Sequence, residues 1–240
     1  VVTGQVSIAA FALANGPLAV VGVLCLAFAV TAYVLSLITS DYSWVDRMWS
    51  TVPVLYAWIY AGPSSYDERT TVVAILISVW GLRLTFNCGR RGGYTGMEDY
   101  RWPVLQRRIT SPVLWQLFSL FFISIYQNLL FVLFTLPVYV LYTMKGGAPG
   151  PAFWAGAAAF LLFLLYETTA DQQQWNYHKE KKAARDAGEE IPEKYRKGFV
   201  HTGLWGIMRH PNYAAEQAIW MVFYFFSVVA TGEWLNWSIM

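Results

Sequence analysis

The chain has 240 residues, of which 56% are hydrophobic, 18% aromatic and only 13% charged. Its mean hydropathy of +0.38 and its long apolar runs exclude an ordinary soluble domain and predict an all-α, multi-pass transmembrane bundle of about six or seven spans. A net charge of +2 gives nucleic acid no electrostatic footprint, and Cys25 and Cys88 supply neither a disulfide framework nor a metal site.

A first span is predicted over residues 17–39, interrupted only by small polar residues. A polar hinge, Ser40 to Arg47, leads into a second apolar segment ending near Gly62, with a kink expected at Pro53. A third span runs from Thr70 to about Phe86 and gives way to a hydrophilic loop, Asn87 to Thr110. The apolar stretch from Pro112 to Tyr142 is longer than one crossing needs, which predicts a tilted helix or one broken at Pro137. After a turn at Lys145 to Gly150, a span entered at Ala152 is expected to leave the membrane near Thr169 and continue as a charged helix. Residues 176–208 form the largest polar region, and Tyr213 to Thr231 cross again. The chain opens on Val1, and Trp234 to Met240 reads as the start of a further helix. We therefore expect a single membrane domain over 1–240 that is incomplete at its C-terminus.

The basic residues set the orientation. Arg90, Arg91, Arg101, Arg107 and Arg108 share one loop; Lys179, Lys181, Lys182, Arg185, Lys194, Arg196, Lys197 and Arg209 share another. Two crossings separate them, so both loops fall on one side, and the positive-inside rule makes that side cytoplasmic. An endoplasmic reticulum, bacterial inner or organellar membrane would each fit.

Three dense segments gather there. In Arg90-Arg91-Gly92-Gly93-Tyr94, paired guanidinium forks precede a glycine turn, a pattern that suits phosphate. Tyr94, Tyr100 and Trp102 add rings on which a flat group can stack; a plain positive-inside loop reads the same way. Glu167, Asp171, Gln174 or Trp175, and His178 recur at helical spacing as one polar stripe that can accept from ribose hydroxyls or a carboxamide. Finally, Arg209-His210-Pro211-Asn212-Tyr213 opens the last span, with Asn212, Glu216 and Trp220 on one helical face. An interfacial anchor would explain the Arg, His, Tyr and Trp, but Glu216 lies a turn inside the apolar segment. In the long span, Gln116, Tyr126, Gln127 and Asn128 mark interhelical hydrogen bonds or a cavity. Metal-ligand spacing, a Ser/His/Asp arrangement and a Rossmann glycine fingerprint are all missing, so no metal is expected.

Taken in order, Trp80-Gly81-Leu82-Arg83-Leu84, the Arg90–Trp102 stretch, Ala170-Asp171-Gln172-Gln173-Gln174-Trp175, Gly198-Phe199-Val200 with Thr202-Gly203-Leu204-Trp205, and Arg209 to Tyr213 with Glu216 resemble the steroid 5-alpha-reductase superfamily. They look closest to its bacterial and protist branch of unassigned function. The resemblance implies a membrane-embedded reductase that uses NADPH to reduce a carbon–carbon double bond in a lipid-like substrate, an enone or a sterol-type alkene. It implies that Arg90, Arg91, Tyr94, Arg101, Asp171, Gln174, Tyr195, Arg196, Arg209, His210, Asn212, Tyr213 and Glu216 hold the cofactor, with Trp220 behind it. Where the family carries a Gln-Glu pair before a proline, this chain reads Ser50-Thr51-Val52-Pro53, and the family's catalytic tyrosine falls near Trp80. Tyr56, Tyr94 and Tyr126 are the candidate proton donors, and Trp80, Asn128 and Glu167 the candidate substrate contacts. Partners would be the lipid substrate, membrane lipids and possible subunits of a membrane complex. Two alternatives remain: a non-catalytic structural or lipid-binding subunit, and a membrane methyltransferase using S-adenosylmethionine, which shares the Arg-His-Pro-Asn-Tyr text.

Overall fold

The computed structural model describes residues 14–190, 192–193 and 196–238. Among them every regular element is helical. These are α1 Pro17–Thr39, α2 Trp44–Met48, α3 Val52–Ala61, α4 Glu68–Arg90, α5 Arg101–Arg108, α6 Pro112–Thr143, α7 Pro151–Ala187, a 3-10 turn Gly203–Gly206, and α8 Pro211–Thr231. Five of them, α1, α4, α6, α7 and α8, are long and apolar enough to cross a bilayer, and α3 is a shorter apolar helix. The chain is an integral, multi-pass helical membrane protein. Its contacts divide it into two compact units, one of residues 1–150 with 226–240 and one of residues 151–225.

In the first unit α3 is the hub, because Tyr56, Ala57 and Tyr60 are wholly buried. Small residues permit this packing. At Gly81 of α4, an added Cβ would lie 2.5 Å from the Ser50 carbonyl oxygen and 2.5 Å from Val54 Cγ2, so the helices meet backbone to backbone. The expected kink at Pro53 is instead a break: α2 ends at Met48 and α3 restarts at Val52, with Pro53 in the first turn, where its missing N–H is harmless. Asp67 caps α4, accepting from Thr70 N at 3.4 Å, and also accepts from Gly146 N at 2.9 Å, while Arg69 donates to the Met144 carbonyl. That latch ties the start of α4 to the end of α6.

Helix α6 is not broken at Pro137, which sits inside a continuous helix. Its irregularity lies earlier, where Ser119–Tyr126 winds as a π-helix. Regular α winding, about 100° per residue, would set Trp115 and Phe131 roughly 160° apart. Both are buried, so the wider i→i+5 turns absorb that rotation and keep one face inward. Asn128 Nδ2 donates to the Ser124 carbonyl at 2.9 Å where π winding returns to α. The outward face carries a ladder of rings, Phe118 on Phe122 at 4.9 Å and Phe122 on Tyr126 at 5.5 Å. Residues 232–238 are bends and turns rather than the further helix expected there.

The second unit is built on α7, which at 37 residues is about 56 Å long and outruns a hydrocarbon core of about 30 Å. Its polar end holds the following loop by three bonds, one of them steadied from within the helix. Tyr177 OH donates to the Gly198 carbonyl, and Lys181 Nζ donates to Tyr177 OH at 3.2 Å. Trp205 Nε1 donates to the Ala170 carbonyl at 3.0 Å, and Leu204 N donates to Gln173 Oε1 at 3.0 Å. Gly203, at φ 60°, lets the loop pass so close that a Cβ there would meet the Gln173 amide at 2.6 Å.

Candidate functional site

The sequence-predicted residues fall into both units. In the second, Asp171 is buried on α7, and its Oδ1 accepts from Asn212 Nδ2 at 3.0 Å. This contact joins the middle of α7 to the first turn of α8, whose entry is fixed by Pro211 after His210. On that helix Trp220 Nε1 donates to Glu216 Oε1 at 3.0 Å, so the i, i+4 face pairs internally while Asn212 turns to Asp171. On α7, Gln174 Nε2 lies 3.2 Å from His178 Nε2. Glu167, expected at the substrate, is buried one turn before Asp171.

Beside these pairs is a cavity of about 720 Å³ lined by Gln174, Phe199, Val200, Trp205, Arg209 and His210. Its size is within the range of about 300–1,000 Å³ usual for small-molecule sites. Its polar equipment is one-sided. Two basic side chains, Arg209 and His210, are exposed at it, and Trp205 presents a ring 6.5 Å from that of His210. The Gln174 carbonyl oxygen is buried and has no hydrogen-bond partner among the described residues. Such a set suits an anionic ligand with a flat ring and a polar N–H or O–H to offer. Tyr213 is exposed one turn on. Arg196 is exposed and pairs with Glu193 at 3.5 Å, outside the cavity's lining; Tyr195 lies outside the described residues.

In the first unit the Arg90–Trp102 stretch is clasped to the hinge before α3. Trp102 Nε1 donates to Asp46 Oδ2 at 2.7 Å, Ser43 Oγ accepts from Asp99 N at 2.7 Å, and Glu98 Oε1 accepts from Tyr42 N at 2.8 Å. Arg101, expected to face phosphate, is instead engaged by Asp99 at 2.8 Å and Asp46 at 3.1 Å. The Asp99 hydrogen bond holds its guanidinium above the ordinary arginine value. Desolvation dominates at Asp46 and pushes its carboxyl up, against the opposing pull of Trp102 and Arg101. Arg90 Nε donates to Asn87 Oδ1 at 2.9 Å, and Arg91 is exposed at the end of α4.

The three tyrosines differ sharply. Tyr56 is wholly buried in the core, and Tyr126 stands on the outer aromatic ladder. Tyr94 is partly exposed, and its hydroxyl lies 3.1 Å from Ser50 Oγ, which accepts from Thr85 Oγ1 at 2.8 Å. The Thr85, Ser50 and Tyr94 hydroxyls thus form one chain, in which either oxygen of the Ser50–Tyr94 contact can donate. Sequence reasoning missed Ser50 and Thr85, because neither residue type signals chemistry alone. Trp80 packs against Phe134 at 5.5 Å, and Asn128 is wholly buried in α6.

A family model described as a protein of unknown function (DUF1295) matches residues 32–240. The chain belongs to the DUF1295 family. An uncharacterized protein of Schizosaccharomyces pombe is 34% identical over 252 residues, covering 99% of this chain and 72% of that protein. No solved structure matches. DUF1295 membership covers the clasp, the Asp171–Asn212 pair and the cavity alike, since all lie within the matched residues.

Proposed function

We propose that this DUF1295 protein is a membrane reductase that binds NADPH and reduces a carbon–carbon double bond of a lipid-like substrate. The observation that carries the reading is the cavity of the second unit, where Arg209, His210, Trp205 and the unpartnered Gln174 carbonyl converge beside the Asp171–Asn212 pair. These residues fit a dinucleotide. Arg209 and His210 offer charge to phosphate, Trp205 a stacking face, and Gln174 and Asp171 acceptors for amide or ribose protons. The resemblance to the steroid 5-alpha-reductase superfamily supports the same assignment. When bound, NADPH would supply a hydride; the chain's part is to bind, orient and keep water out.

Tyr94 is the proton donor the geometry favours, because it alone of the three tyrosines ends a hydroxyl chain. Ser50 stands where the related family carries a Gln-Glu pair, so a neutral hydroxyl relay takes the place of a carboxylate there.

The test is ligand binding to the detergent-purified full chain by thermal shift, with NADPH, NADH and S-adenosylmethionine side by side. NADPH stabilisation that is weakened at least tenfold in Arg209→Ala and in Asp171→Ala is expected, with Arg91→Ala reporting whether the first unit contributes. In turnover, Tyr94→Phe is expected to lower kcat by about 10²- to 10⁴-fold with NADPH binding unchanged. Stabilisation by S-adenosylmethionine alone would replace this reading with a methyltransferase.

A further inference from the structure

Towards its polar end α7 presents two different faces. Gln173 and Tyr177, with Lys181 behind them, recur at every fourth position and hold the following loop. Trp175, His178, Lys179, Lys182, Ala183 and Asp186 keep the same period two residues later, about 160° round the helix axis. They wall a groove of about 400 Å³ whose lining comes from α7 side chains. Trp175 is half-buried there, and the other five are exposed. The groove shares no lining residue with the nucleotide cavity.

Its charges are ordered along the helix. A hydrocarbon core of about 30 Å takes up about 20 residues, so a crossing begun at Pro151 leaves it near Asp171. Trp175 then stands about 6 Å beyond the core, at headgroup depth, where an indole is well placed. Lys179 follows one turn further out. Cα–Cβ bonds tilt towards the N-terminus of a helix, here its membrane end, so the backbone favours a Lys179 side chain that runs back to the phosphate layer. Lys182 and Asp186 pair with each other beyond it. From the bilayer outward the groove offers an amphipathic ring, a cation, and then a cation joined to a carboxylate.

We propose that this groove seats the headgroup of an anionic aminophospholipid, phosphatidylserine in type, with its phosphate at Lys179, its carboxylate at Lys182, its ammonium at Asp186 and its glycerol end against Trp175. The argument is charge complementarity in number and in order. Two lysines and one carboxylate meet two anions and one ammonium, and the serine of such a lipid lies outward of its phosphate, as Lys182 and Asp186 lie outward of Lys179. Opening the Lys182–Asp186 pair costs little, because an exposed i, i+4 ion pair contributes little to stability. A glycerol headgroup has no cation for Asp186 and an ethanolamine no carboxylate for Lys182. Choline lacks the carboxylate and has no N–H to donate. The basic loops put this end of α7 on the cytoplasmic side, where the leaflet carries anionic lipid.

The experiment presents the full chain in phosphatidylcholine nanodiscs containing equal small shares of phosphatidylserine, phosphatidylglycerol and phosphatidylethanolamine, and identifies the lipids retained by native mass spectrometry. Retention of phosphatidylserine is expected to exceed that of either competitor by about tenfold, the worth of one charge-assisted hydrogen bond. Lys179→Gln should abolish that excess. Asp186→Asn should bring phosphatidylserine down to the level of phosphatidylglycerol. Lys197→Gln makes the same charge change on the exposed loop and should alter nothing. All three positions are exposed, and an unchanged melting temperature checks that each variant folds. Equal retention of phosphatidylserine and phosphatidylglycerol by the wild type, no retained phosphatidylserine, an equal loss in Lys197→Gln, or a preference that survives both Lys179→Gln and Asp186→Asn would overturn the proposal.

Discussion

Asp46 is the residue where local electrostatics make a measurable demand. Its carboxyl is raised by burial, even though Trp102 and Arg101 favour the ionised form. Unfolded, it would release its proton at the usual carboxylate pH; folded, it holds the proton to a higher pH. Folding therefore takes up a proton between those two values, and this group contributes stability that grows as pH falls through that window. Asp46→Asn keeps an acceptor for the Trp102 indole and removes the titration. We expect the variant to melt at or above the wild-type temperature at pH 7, and wild type to gain on it as pH drops towards 4. A difference in Tm that does not change with pH would show that Asp46 does not titrate in the fold. At this scale the sequence was only partly informative. The spacing of Asn212, Glu216 and Trp220 correctly placed the last two together, as their 3.0 Å bond shows. Asn212 instead serves Asp171, 41 residues earlier, and no periodicity reports a partner so distant. The charge of Arg101 was legible, while its pairing with Asp99 and Asp46 was not.

At the scale of elements, the decisive contacts are between helix backbones. Gly81→Ala would drive a methyl to 2.5 Å from the Ser50 carbonyl, which is backbone and cannot swing aside. Overpacking of this kind costs about 1–3 kcal/mol. We expect a clear fall in melting temperature in detergent. Gly22→Ala on α1, where an added Cβ meets nothing within 4 Å, should leave it unchanged or slightly higher. Equal melting of the two variants would mean that α3 and α4 do not pack as closely as the structure shows. All five candidate crossings among the described residues were legible from hydropathy alone, since α1, α4, α6, α7 and α8 each present a long apolar run near the expected bounds. Helix α5 was not. Arg101–Arg108 carries Pro103 and three arginines, reads as loop, and gains its helix by docking Trp102 against the hinge.

For the whole molecule, charge placement and crossing number make one joint prediction. The loops after α4 and after α7 are separated by α6 and α7, so they should face the same compartment, with the Lys145–Gly150 turn on the other side. Single cysteines at Thr95, Gly188 and Gly150, placed in a chain with Cys25 and Cys88 replaced by serine, would be challenged with a membrane-impermeant maleimide on sealed vesicles. Thr95→Cys and Gly188→Cys should label together and Gly150→Cys oppositely; any other grouping would refute the topology. The two compact units divide the same chain differently, since α8 begins in one and ends in the other.

The π-wound stretch of α6 has a consequence for how this gene can change length. A helix that keeps Trp115 and Phe131 on one face only by winding loosely between them holds extra chain in its turns. Losing one codon between Ser119 and Tyr126 would let the segment tighten to regular α geometry with Trp115 and Phe131 about 60° apart, still on one side of the helix, whereas tightening at unchanged length would set them about 160° apart. The buried faces before and after the segment would then still look inward, with the loose turns gone. For this segment, residue count is as much a part of the specification as residue identity.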